Sequence, residues 1–272
     1  MISISGLYIY PVKGFRGTQL DSMEIVKTGP LNDRRLMIID EENNFITQRT
    51  HPIVATIDVA LYEDKFSLSL PNNDPIFFTI NKEEAILATI WKDQVNVVEW
   101  SKQASQMISD YIQTSCRLVG MSANSQRTLP AKYHANLNTI QFSDQCPFLL
   151  ISQSSLDDLN SHLEVPVPMN RFRPNIVVTG CNPYEEDEWD SIRIGDIVFD
   201  LPETCSRCLV TAVNQATGQV EKEKGKNPLK ALARYRNTPK GILFGKYMIH
   251  QSTGTIKLGQ SIEIIKKSKA TA

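Results

Sequence analysis

Residues 192–200, IRIGDIVFD, and residues 256–264, IKLGQSIEI, share one pattern. In each, apolar residues alternate, a glycine-centred turn intervenes, and the alternation resumes. Each stretch predicts a short strand–turn–strand hairpin, and the two together predict a barrel of short strands. The N-terminus fits the same style. In MISISGLYIYPVKGF the apolar Ile2, Ile4, Leu7 and Ile9 alternate as on a half-buried strand, with a slip at Gly6. Residues 25–48 read as strands separated by turns at Gly29-Pro30, Asn32-Asp33 and Glu42-Asn43-Asn44. Residues 55–71, ATIDVALYEDKFSLSLP, continue the series.

The period changes in VNVVEWSKQASQMISDYIQ, residues 95–113. Ser101 is placed as an N-cap, and Ala104, Met107, Ile108, Tyr111 and Ile112 share a helical face. Two further short helices are expected. One follows the serines near 152–155 with Leu156, Leu159 and Leu163 in step; the other opens with Asn227 as N-cap and Pro228 at the first helical position. The fold class is therefore mainly β with several short helices (α+β). The polar segment Ser122 to Arg127 marks a boundary, giving domains over residues 1–121 and 122–268. EKEKGK, residues 221–226, reads as a solvated loop, and the tail KKSKATA as a polar, frayed end.

Bulk properties narrow the function classes. The chain has 272 residues, is 41% hydrophobic and 22% charged, and carries a net charge of −1. It lacks the basic excess of a nucleic-acid binder. No secretory signal pattern opens the chain and no apolar run reaches membrane-spanning length. Five cysteines, an odd number, argue for a reducing compartment, here taken as the cytoplasm.

Two cysteines stand three apart in PETCSRCLVTAVNQATGQV, residues 202–220. A structural zinc site wants two such pairs, and only one is present; Cys116, Cys146, Cys181 and His51, His134, His162, His250 are scattered singly. A dithiol redox pair wants a helix start after a strand, whereas LVTAV after Cys208 reads as another strand. A single metal-binding thiolate suits a soft transition metal, Arg207 beside Cys208 would favour the thiolate, and Lys13, Arg34 and Arg173 near turns could meet a phosphate. Inert packing is the remaining alternative.

Ten segments carry a resemblance to a known family: LYIYPVKG, NDRRLMIID, FITQRTHP, CPFLLIS, FRPNIVVTG, DEWDSIRIGD, CSRCLVTAVNQATG, PLKALARYR, FGKY and GTIKLGQ. They resemble MOSC-domain proteins with an N-terminal MOSC β-barrel domain, in particular the amidoxime-reducing components. The resemblance implies an N-terminal β-barrel domain followed by a MOSC β-barrel domain that together hold a molybdenum cofactor, a molybdenum-bearing molybdopterin. It implies Cys208 as the metal ligand and catalytic thiolate. It further implies Lys13, Gly14, Arg34, Arg173, Asn175, Ser206, Arg207 and Tyr247 as cofactor-binding residues. Relatives often carry Ser at the position of Gly14, which leaves only backbone contact there. They also often carry Thr-Ser where this chain has Gln145 and Cys146. The implied activity is reduction of a small N-hydroxylated substrate to an amine. Electrons would come from a separate donor protein, a ferredoxin, a flavodoxin-like protein, or a cytochrome with a flavin reductase. No cysteine follows Cys208, so an iron–sulfur cluster on this chain is not expected. The alternative implied by the same resemblance is a non-catalytic cofactor or sulfur carrier, because MOSC domains also occur in molybdenum-cofactor sulfurases.

Overall fold

A computed structural model describes residues 1–80, 84–133 and 139–268. Strands dominate, and three α-helices occur among the described residues: Lys102–Ile112, Gln153–Ser161 and Pro228–Leu232. His134 and the last four residues of the tail lie outside the described residues.

The largest sheet is organised around the long strand Gly241–His250. Phe148–Ser152 pairs with one edge of it, and Ile197–Asp200 and Thr204–Ser206 pair with other parts. Phe148–Ser152 runs parallel to Ile176–Thr179, and the helix Gln153–Ser161 lies in the connection, as a parallel pair requires. Ile176–Thr179 then pairs with Ser3–Ile9 at the N-terminus of the chain. A second sheet joins Ile86–Ile90, Asp93–Glu99, Arg117–Met121, Leu36–Ile39 and Phe45–Ile46. Its inward residues, with the helix Lys102–Ile112 and the strands Asp58–Leu61 and Lys65–Ser69, enclose a core of Val12, Phe15, Leu36, Ile38, Phe66, Leu68 and Trp100. The large sheet encloses another core around Trp189, Phe148, Phe199, Ile4 and Met23.

The helices start where the caps predicted. The Ser101 side chain accepts from Ala104 N–H, Ser152 from Ser155 N–H, and Asn227 from Lys230 N–H. Ala104, Ile108 and Ile112 are buried as the 3.6-residue spacing requires. Leu163 falls beyond the second helix, which ends at Ser161, and packs against the same core as Leu156 and Leu159. Lys222, Glu223 and Lys224 are exposed, in keeping with a solvated loop.

Two expectations need correction. Residues 192–200 do form a hairpin, with Trp189–Ile194 paired to Ile197–Asp200. Residues 256–264 do not. Gly254–Lys257 leaves to pair with Ser22–Val26, while Ile262–Lys267 pairs with Trp189–Ile194. The turn alone cannot hold two short strands together when each has a better partner elsewhere. The segment after Cys208 is not a strand but a short 3-10 turn, Leu209–Ala212. Thr211 folds back, its N–H and hydroxyl both donating to the Cys208 carbonyl, and Arg171 donates to Ala212 O at 2.8 Å. Local bonds and a tertiary donor here outweigh the β-preference of Val and Thr, which is a weak bias. Across the polar connection at 122–127, Ser3–Ile9 pairs with Ile176–Thr179 and Ser22–Val26 with Gly254–Lys257.

Candidate functional site

The site is assembled from segments far apart in sequence. Its cationic end centres on Tyr10, whose ring lies under two guanidiniums, Arg34 at 4.4 Å and Arg173 at 4.2 Å. Both arginines have positive φ, 44° and 57°, where side chains are rarely tolerated. Tertiary bonds hold them there. Arg34 donates to Asp33 at 2.6 Å and to Asn175 Oδ1 at 2.9 Å. Arg173 donates to Phe15 O at 2.6 Å. Asp33 also accepts from Tyr10 N–H at 2.8 Å and from Asn175 Nδ2 at 3.1 Å. Burial pushes the Asp33 carboxyl above its usual range, against the pull of Arg34. Burial, and then the like charge of Arg34, pull Arg173 down to about 10 against the opposing effect of Tyr10.

Asn175 is almost fully buried, and both its amide groups are engaged: Nδ2 with Tyr8 O and Asp33, Oδ1 with Arg34 and Leu149 N–H. Its side chain braces Arg34 and has no donor left over. Lys13 is buried too. Its ammonium donates to Phe142 O at 2.9 Å and to the Asp144 carboxylate. Burial lowers the Lys13 pKa, with Asp144 opposing the shift. Gly14 adopts φ +89°, a conformation a serine would hold only under strain. Its carbonyl accepts from Gln48 Nε2 at 2.6 Å, and Gln48 exchanges amide bonds with Gln215 at 2.9 Å in each direction. Gln215 also accepts from Arg173 at 3.3 Å, so the loop after Cys208 is tied to Gly14 and Arg173.

The thiol end is open. Of the five cysteines, Cys208 is exposed, Cys181 is half-buried, and Cys116, Cys146 and Cys205 are buried. Ser206 is exposed, and Arg207 lies between the two motif cysteines with its guanidinium turned inward. Arg207 donates to Cys205 Sγ at 3.1 Å and to Phe172 O at 2.6 Å. Its Nε is buried without a hydrogen-bond partner among the described residues. Tyr247 sits against Cys205; burial first, then that neighbour, raise its hydroxyl pKa. Cys146 is buried, and burial pushes its thiol up to about 12. Gln145 accepts from Tyr133 OH at 3.0 Å.

A family profile described as MOSC domain matches residues 138–263, and one described as MOSC N-terminal beta barrel domain matches residues 1–115. The Mus musculus protein named mitochondrial amidoxime-reducing component 1 is 31% identical over 283 residues, covering 97% of this chain and 82% of that one. The chain belongs to the MOSC family. The Homo sapiens protein of the same name is also 31% identical, over 97% of this MOSC chain and 83% of its own. Among solved structures, the YUAD protein from Bacillus subtilis aligns over 97% of this chain and 95% of that one, at 12% identity and a TM-score of 0.41.

Bonds link Gly14 to Arg173 through Gln48 and Gln215, join Arg34 to Asn175, and carry Arg207 back to Phe172 O, next to Arg173. Sequence reasoning missed Tyr10, Asp33, Gln48, Asp144 and Gln215, which hold those residues in place. Tyr10, Asp33 and Gln48 lie inside the quoted segments YIYPVKG, NDRR and FITQR, and a search for partners of the arginines there would have flagged Asp33. Gln215 likewise lies inside CSRCLVTAVNQATG, whereas nothing local marks Asp144, whose partners Lys13 and Trp91 are 131 and 53 residues away. No helix among the described residues is long and apolar enough to cross a membrane.

Proposed function

We propose that this chain is a molybdenum-cofactor-dependent oxidoreductase that reduces N-hydroxylated compounds to amines, with residues 1–121 and 122–268 jointly holding the cofactor. The observation that carries the reading is the Cys208 thiol: an exposed residue next to the half-buried Arg207, whose buried Nε has no partner among the described residues. A soft, accessible thiol suits a molybdenum ligand. An orphaned buried donor is costly, and a cofactor oxygen or nitrogen would satisfy it. The cations Lys13, Arg34, Arg173 and Arg207 outnumber the carboxylates Asp33 and Asp144 around them, which suits a phosphate.

In this reading Cys208 is the metal ligand and catalytic residue. Lys13, Arg34, Arg173, Ser206 and Arg207 bind the cofactor, Gly14 offers backbone alone, and Tyr247 forms part of the wall. Asn175 acts through Arg34. When bound, the cofactor supplies a two-electron redox couple. The balance is R–NHOH plus two electrons and two protons giving R–NH2 and water. The electrons come from a separate electron-transfer protein such as a ferredoxin, a flavodoxin-like protein or a cytochrome with a flavin reductase. The protein's share is to position the substrate nitrogen at an accessible edge and to keep the cofactor's charge neutralised.

The test is molybdenum and pterin content of wild type and Cys208→Ala, purified from a cofactor-producing host, followed by reduction of an N-hydroxylated amidine with an artificial electron donor. Near-stoichiometric molybdenum in the wild type, its loss in the variant, and turnover support the proposal. Cofactor without turnover points to a carrier instead. Absence of both metal and pterin from the wild type sinks the reading.

A further inference from the structure

Arg49 differs from the other cations of the site. Lys13, Arg34, Arg173 and Arg207 each make a hydrogen bond of 2.9 Å or less to an oxygen of the protein. The Arg49 guanidinium makes none to a described residue. Its carboxylate neighbour, Oδ2 of Asp144, is 3.8 Å away. It is kept in place from the other side by Trp91, whose ring lies 4.6 Å from the guanidinium carbon. Trp91 is a surface residue at φ +57°, an uncommon conformation for a bulky side chain, and its indole N–H donates to Asp144 Oδ1 at 3.0 Å. Phe45 packs beside it with ring centroids 5.0 Å apart.

Asp144 is the hinge of this arrangement. One carboxylate oxygen takes the Lys13 ammonium and the Trp91 indole; the other faces Arg49. Its side chain is 44% exposed, so solvent and solutes reach it. Two cations therefore share a single accessible carboxylate, and the guanidinium of one, next to the Trp91 ring, makes no hydrogen bond to a described residue. Phosphate oxygens offer the same acceptor chemistry with more charge and more lone pairs.

We propose that Arg49 is a further anion-binding residue of this site and that Asp144 is its exchangeable counter-ion, yielding Lys13 and Arg49 to the oxygens of a phosphate-bearing ligand. Trp91 is the platform that presents Arg49. The inference deepens the proposed function and rests on it only in naming the cofactor phosphate as the natural anion. The surface chemistry itself requires neither molybdenum nor turnover.

The experiment titrates inorganic phosphate, at constant ionic strength, into the full-length chain produced in a host that makes no pterin. The readout is acrylamide quenching of tryptophan fluorescence. Trp100 and Trp189 are buried, so the accessible indole is Trp91. A saturable change is expected in wild type and its loss in Trp91→Phe. Asp144→Asn should tighten apparent phosphate affinity about tenfold, and Arg49→Ala should weaken it about tenfold. Arg49→Lys, which keeps the charge but loses the planar fork and the stack on Trp91, should weaken it by about threefold, less than Arg49→Ala does. Thermal melts of each variant check that the fold is retained. The proposal is overturned if no saturable response occurs in wild type and Asp144→Asn, or if Arg49→Ala binds phosphate as wild type does. Because no metal is involved, failure here and failure of the molybdenum assay are separate results.

Discussion

The two ends of the site are built on opposite plans. At the cationic end, Tyr10, Asp33, Arg34, Arg173 and Asn175 are locked together by side-chain bonds spanning more than 100 residues, and two arginines are held at positive φ. At the thiol end, Cys208 is exposed, followed by a single 3-10 turn. One end is rigid because charge buried without partners would be costly. The other leaves its thiol exposed, as the metal-ligand role proposed for Cys208 requires. The difference teaches that stability and chemistry occupy different residues of one site. Substitutions at the two ends should therefore fail in different ways.

The largest stability loss is expected from Asp33→Ala, which strands Arg34 and frees Tyr10 N–H and Asn175 Nδ2. Breaking such a buried pair costs about 3 kcal/mol or more, read from urea denaturation midpoints. A change under 1 kcal/mol (about a fifth of a small domain's stability) would remove the claim that this end is the rigid one. Next is Gly218→Ala in the loop that ties the thiol end to Gln48. Gly218 has φ +70°, and an added Cβ would lie 2.6 Å from the Ile53 Cα, a backbone atom that cannot swing aside. A loss of about 2 kcal/mol is expected, with molybdenum retention falling in parallel if that loop positions Cys208. Tyr10→Phe removes the hydroxyl bond to Pro174 O at 3.0 Å and keeps the ring under both guanidiniums. It should cost about 1 kcal/mol.

Cys208→Ala sharpens the contrast most directly: stability within about 0.5 kcal/mol of wild type alongside loss of metal. If it destabilises as Asp33→Ala does, the two ends are one structural unit. The smallest effect concerns pH. His250 is buried against Phe148, with Nε2 bonded to Val26 O at 2.9 Å and Nδ1 without a partner among the described residues. Burial lowers its pKa from its ordinary 6.5, despite the bond to Val26 O. The unfolded chain then takes up a proton first as pH falls. The stability of the neutral form is present above about 6.5 and declines as pH drops below it. His250→Gln should flatten that decline between about pH 6.5 and 5, whereas Cys208→Ala should leave it unchanged.

The sequence alone determined the strand-rich class and three helix starts. Caps such as Ser101 and Asn227 work within a few residues, so their signal is local. The site residues came from the family's segments, because one chain's composition does not distinguish a cofactor cation from a solvated one. Tertiary structure decided the rest. It parted the strands of residues 254–267 to separate partners, turned LVTAV into a 3-10 loop, and carried the first strand into the C-terminal sheet. It also decided which polar groups are spent within the protein: Lys13 on Asp144, Arg34 on Asp33, and the Asn175 amide on Tyr8 O, Asp33, Arg34 and Leu149 N–H. The physical reason is common to these cases. Strand pairing and ion pairing are set by which groups lie within a few ångströms after the chain has folded, and sequence separation carries no information about that distance.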